Sequence, residues 1–229
     1  MKYKLTDETI LWNGHLLHSI QATENFNDVK AGDLGGFVEG THNLSHDNNA
    51  WVYDNAKVYN HAMVFGDVQI HGDAEVYDSA VVFGYAQIYE DAKIYGHALV
   101  CDFAEIYGNA EISDGAQICE KAVAGDDARI FNNAVISGKA KVTGLAQVCG
   151  CGKVTGVAHV HGEALVCGRA KVSGNASVHD YAIVLGNAMV YGHAEVCGNA
   201  LVTMGGHVYG DALVTGHARI LDKTEVCGV

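Results

Sequence analysis

The sequence predicts an all-β fold: a single-stranded parallel β-helix of about ten triangular coils behind an N-terminal hairpin cap. Three observations carry this. From about residue 49 to residue 228 one six-residue phrase, roughly x-Ala-x-Val-x-Gly, recurs thirty times without an insertion; Asp91-Ala92-Lys93-Ile94-Tyr95-Gly96 is a clean copy. The small slot departs from Ala only at Val68, Gly152, Gly206 and Thr224, and the slot two residues later departs from Val or Ile only at Ala124. The chain contains no Pro, as befits strands that are all central, where Pro would remove a ladder donor. Fixed-period self-similarity outranks local signals, and a six-residue period matches no 3.6-residue helical stripe.

Each hexad reads as a short strand and a corner. Residues two apart on a strand face the same side, so Ala and Val point inward while Lys, Glu, Gln, His or Met between them points out. The corner favours Gly, Asn and Asp, which tolerate the positive φ that a type II turn requires. Three hexads close an eighteen-residue coil, and ten coils about 4.8 Å apart make a prism roughly 45 Å long.

Residues 1–48 precede the repeat and read as a capping segment; residues 49–229 form the β-helix. Residues 9–17 suit a hairpin turning at Asn13-Gly14. Gly35-Gly36 reads as a turn, with a phosphate-binding nest as the alternative. The segment is expected to cover the unpaired edge of the first coil. Ala124 leaves volume missing from the core and predicts a slight kink. Met204-Gly205-Gly206 breaks the rule late in the chain. The final coil points Ala212, Val214, Ala218, Ile220, Thr224 and Val226 inward. Nothing in the sequence follows to cover it, which predicts self-association through Val214, Ile220, Thr224 and Val226. An end-to-end two-fold dimer is the expected form and a side-by-side trimer the rival. The start has no signal-peptide pattern and no apolar run is long enough to span a bilayer, so a cytoplasmic protein is expected.

The hexads resemble the hexapeptide-repeat, left-handed parallel β-helix family, and the left hand is an implication of that resemblance. The cap adds a narrower one. Phe26-Asn27-Asp28-Val29-Lys30-Ala31-Gly32-Asp33-Leu34-Gly35-Gly36 leads through Leu44-Ser45 to Trp51-Val52-Tyr53-Asp54. This run looks like the start of YdcK-like proteins, a mostly bacterial and prophage-borne hexapeptide group. The wider family includes acyltransferases and carbonic anhydrase-like metalloenzymes, so the resemblance implies a fold more than an activity.

Charge is uneven. Residues 40–132 carry fifteen acids and four bases, and so most of the net charge of −13. This disfavours binding nucleic-acid phosphates and permits binding a basic partner or mimicking a nucleic acid. The same block is rich in corner aromatics. Tyr59, Tyr77 and Tyr95 fall eighteen apart on one edge, Tyr53, Tyr89 and Tyr107 on a second with His71, and Phe65 and Phe83 on the third. They serve either as ladder stacking or as a binding surface, since Tyr and Phe are enriched at interfaces. Together with the corner acids Asp78, Glu90, Asp102 and Asp114 they are the candidate partner-binding residues.

The seven cysteines lie mostly at corners, with Cys101/Cys119 and Cys149/Cys167 each one coil apart. A disulfide fits that spacing, but free thiols are the expectation. Cys149 and Cys151 form C-x-C without a second zinc-type pair. His161 and His179 share a corner, but no inserted loop accompanies them. No nucleophilic triad, P-loop or nucleotide fingerprint appears. The sequence therefore points to no catalytic residue, no metal and no cofactor. Its reading is a non-enzymatic acidic binding protein acting on a host nucleic-acid-binding or defence complex, or a self-assembling scaffold. An acyltransferase with sites at trimer clefts is the alternative.

Overall fold

A computed structural model describes residues 1–228. The fold is a β-solenoid of about eleven turns and fits a left-handed parallel β-helix. Two antiparallel strands, β1 (Tyr3–Trp12) and β2 (His15–Ala22), lead to β3 (Leu34–Val38). Thirty short strands follow, from Trp51–Val52 to Glu225–Gly228. They stack into three faces of thirteen, ten and ten strands, the largest including β1, β2 and β3. On every face a strand pairs in parallel with the one eighteen residues away, as in Lys93↔Glu111 and Ile94↔Ile112.

The register is the one the hexad predicts. Ala92, Ile94, Ala98 and Val100 are fully buried and Lys93 is exposed. Corners turn at positive φ, on Gly at Gly66, Gly84 and Gly96, and on acids at Asp78, Glu90 and Asp102. Ala124 leaves the ladder in register: Ile106↔Ala124 and Ala124↔Val142 pair without a shift. The ring of Tyr107 lies over Gly125, where a Cβ would collide with it.

The parallel ladder reaches back ahead of the repeat. β3 pairs in parallel with Lys57–Val58 through Phe37↔Lys57 and Val38↔Val58, and Leu44 bridges to Val64. Val38 and Leu44 are fully buried, so an irregular coil precedes the thirty hexads. Gly35 and Gly36 lie within β3, which replaces the expected turn. A Cβ on Gly36 would come within 2.5 Å of the Ala56 carbonyl oxygen, and one on Gly35 within 2.5 Å of that of Val52. The pair is small so that the cap can approach the first coil.

The cap satisfies the edge it covers. Lys2 Nζ donates to the carbonyls of Asn48 at 3.2 Å and Ala50 at 2.8 Å. Tyr3 Oη donates to Leu44 O at 2.7 Å. The buried Asn43 amide donates to Asn60 O at 2.9 Å and Ala62 O at 3.0 Å. Burial draws the Lys2 ammonium down to about 8, against the pull of Asp47, Asp67 and Glu24.

Candidate functional site

The corner acids have work within the fold. Each sits at positive φ and accepts a backbone N–H from the coil above. Gly96 N–H donates to Asp78 Oδ2 at 3.1 Å, Gly108 N–H to Glu90 Oε2 at 2.7 Å, and Glu120 N–H to Asp102 Oδ2 at 3.0 Å. Asn132 donates to Asp114 Oδ2 through its backbone N–H at 3.0 Å and its side chain at 2.9 Å. Asp54, Asp126 and Asp180 repeat the pattern. One oxygen of each carboxylate is thus engaged in stapling successive coils.

The aromatics stack as the eighteen-residue spacing predicts. Tyr59, Tyr77 and Tyr95 lie ring on ring at 5.1 and 5.0 Å. Phe65 stacks on Phe83 at 5.2 Å, Tyr89 on Tyr107 at 5.7 Å, and Tyr53 on His71 at 4.0 Å. Tyr59 is a correction to the predicted surface. It is 2% exposed, because the tip of the β1–β2 hairpin folds over it: Asn13 Nδ2 donates to its Oη, and His15 packs at 5.4 Å. Tyr53, Tyr77, Phe83, Tyr89, Tyr95 and Tyr107 are half-buried and Phe65 is exposed. A further pair, Tyr85 on Phe103 at 4.9 Å, is more exposed than any of these. It occupies the slot just after the corner, outside the eighteen-residue rows of corner aromatics.

The hairpin also makes a groove. Trp12 overhangs the face carrying Lys57, Glu75, Lys93 and Glu111, which stand one coil apart in alternating charge. The groove has a volume of about 560 Å³, and Asp73, Asp91 and Asn109 complete its lining. Two of its charges are buried. Glu75 Oε2 accepts from Trp12 Nε1 at 2.8 Å and from Tyr59 Oη at 2.9 Å. Lys57 Nζ lies 4.4 Å from the Trp12 ring centroid and donates to Asn55 O at 2.8 Å. Burial, then the Glu75 carboxylate, raise the Tyr59 hydroxyl pKa well above its ordinary value. The outer carboxylates are less committed. Asp73 faces Lys57 only at 3.7 Å, and among the described residues Asp91 makes no side-chain hydrogen bond or ion pair. No motif signals this site, because a hairpin tip and a strand 63 residues on meet only through the cap's docking.

The third edge continues from Phe65 and Phe83 into Cys101 and Cys119. These two form a disulfide with a Cα–Cα distance of 4.7 Å, against the expectation of free thiols for this pair. Cys149, Cys151, Cys167, Cys197 and Cys227 are free. Burial, then the neighbouring Cys167, push the Cys149 thiol up to about 12. Of the residues predicted for self-association, Val214 is buried, Ile220 and Val226 are half-buried, and Thr224 is exposed. No helix long and apolar enough to cross a membrane occurs among the described residues. No family model matches the chain, and no curated protein matches it.

Proposed function

We propose that this protein is a rigid, non-enzymatic acidic binding module that recognises a basic protein surface through its N-terminal half. The observation that carries this is the Trp12-roofed groove, whose outer carboxylates Asp73 and Asp91 are not consumed by the fold. Spare carboxylates on the rim of a groove suit an Arg or Lys side chain of a partner. A basic surface that ordinarily takes nucleic acid is the class of partner that matches the −11 middle block. The YdcK-like resemblance supports a host nucleic-acid-binding or defence complex as its source. Half-buried Ile220 and Val226 support self-association as a second contact, which Val226→Lys should reduce in light scattering.

The test is titration with a defined arginine-rich peptide, followed by calorimetry and by Trp fluorescence. Saturable binding that weakens with salt and is lost in Asp73→Asn/Asp91→Asn supports the reading. Saturable acetyl-CoA binding with indifference to the peptide refutes it in favour of the acyltransferase. Because Tyr59 is buried, Tyr77 and Tyr95 are the stack members to replace as surface probes.

A further inference from the structure

On the second edge of the prism, which carries Tyr53, His71, Tyr89 and Tyr107 in earlier coils, the stacking gathers groups that the sequence leaves scattered. His179 stands at a corner, Cys197 occupies the same slot one coil on, and Glu195 projects from the strand leading to Cys197. A ring nitrogen of His179, a carboxylate oxygen of Glu195 and Cys197 Sγ all lie within 4.8 Å of one another. His179 Nε2 is 3.0 Å from Glu195 Oε1. Its Nδ1 is 3.2 Å from Asp180 Oδ1, and Asp180 is itself held, because its Oδ2 accepts the Gly198 N–H at 3.0 Å.

We propose that His179, Glu195 and Cys197 form a binding site for one divalent transition metal of the zinc class, with Asp180 holding the imidazole from behind. The donor set carries the assignment. An imidazole nitrogen, a thiolate and a carboxylate are the mixed ligands a borderline-soft ion such as Zn²⁺ prefers, whereas Ca²⁺ and Mg²⁺ take oxygen. A carboxylate on the far ring nitrogen is what metal-bound imidazoles ordinarily have, since it fixes the tautomer and aims the free nitrogen. Bonds of about 2.0–2.3 Å need donors closer than 4.8 Å, and the exposed Glu195 has the freedom to swing inward. His161 stacks flat on His179 at 4.8 Å, so it screens one side of the ring and does not ligate. Three protein ligands leave a fourth position for water.

The other thiol cluster, Cys101, Asp102 and Cys119, is not a competitor, because its sulfurs are bonded to each other. His, Glu and Cys at 179, 195 and 197 match no familiar zinc spacing; only the coil repeat brings them together.

The full chain, stripped with chelator, is titrated with Co²⁺ alone and then with Zn²⁺ alone. One Co²⁺ per chain, with thiolate-to-cobalt absorption in the near ultraviolet and displacement by Zn²⁺, is expected. Cys197→Ser should abolish the absorption. Glu195→Gln and His179→Gln should weaken binding at least tenfold. Asp180→Asn should weaken it roughly 10–100-fold while leaving the thiolate band in place. Cys149→Ser/Cys167→Ser should change nothing. Should Cys197→Ser fail to fold, X-ray absorption at the zinc edge of the wild-type chain decides: one sulfur at about 2.3 Å beside nitrogen and oxygen neighbours is expected. Absence of saturable Co²⁺ binding, a thiolate band that survives Cys197→Ser, or a zinc shell without sulfur would overturn the site.

Discussion

Positive φ at a residue with a side chain costs about 1–2 kcal/mol relative to glycine's freedom, yet this prism places Asp or Glu at many corners. The carboxylates offset that cost by accepting the N–H of the coil above, a charge-assisted bond that glycine cannot supply. Asp114→Ala should therefore destabilise the fold by about 1–2 kcal/mol, since it keeps the strain and loses the staple. Asp114→Gly should cost less, because it loses the staple and relieves the strain; thermal melting of the two variants distinguishes them. That these corners need Gly, Asn or Asp was legible in the hexad, but the bond eighteen residues on was not, because a pattern of residue types does not reveal what a carboxylate reaches. The same holds for Cys101 and Cys119, whose spacing permitted a bond without requiring one. Denatured, unreduced protein should show five reactive thiols against seven after reduction. Cys101→Ser/Cys119→Ser should lower the melting midpoint, closure of a loop of about this length being worth roughly 3 kcal/mol.

At the scale of the strand, alternation decides what a substitution does. Val100 is fully buried and Lys93 faces out. Val100→Asp should unfold the middle of the prism, because an unpaired buried charge costs several kcal/mol. Lys93→Asp should be nearly silent in stability. Equal losses in urea denaturation would refute the register. The coil strands were readable because six-residue periodicity states which residues face in, and pairing eighteen residues apart follows from counting. The cap was readable only as a hairpin and a cover. Its docking depends on shape: Gly35 and Gly36 admit the first coil's backbone, and Trp12 finds Lys57 and Glu75 across the face. Gly36→Ala should destabilise by about 1–3 kcal/mol through overpacking and should raise Trp fluorescence change at lower denaturant, as the hairpin lifts before the solenoid melts. If instead the whole chain melts in one step at the lower midpoint, the cap and prism are a single cooperative unit.

Across the whole molecule the acidity has two components that composition alone cannot separate. Asp78, Glu90 and Asp102 hold coils together; Asp73, Asp91 and Glu105 are exposed, with at most the loose Lys57 contact among them. Both sets contribute equally to the long-range field, because each removes three negative charges when neutralised. Association of a basic partner should be steered by that field, and screened within about 10 Å at 0.1 M ionic strength. Neutralising either set with Asn and Gln should thus slow association at low salt to a similar degree. Stability should divide them. Neutralising Asp78, Glu90 and Asp102 weakens three staples and should lower the melting midpoint, while neutralising Asp73, Asp91 and Glu105 should leave it close to wild type. Dissociation should divide them the other way, since Asp73 and Asp91 line the groove and the staple acids already bond their own backbone. Stopped-flow binding of an arginine-rich peptide, with thermal melting of the same variants, reads all three quantities. Faster dissociation from the staple variant than from the groove variant would move the interface away from Trp12 and onto the corners of the prism.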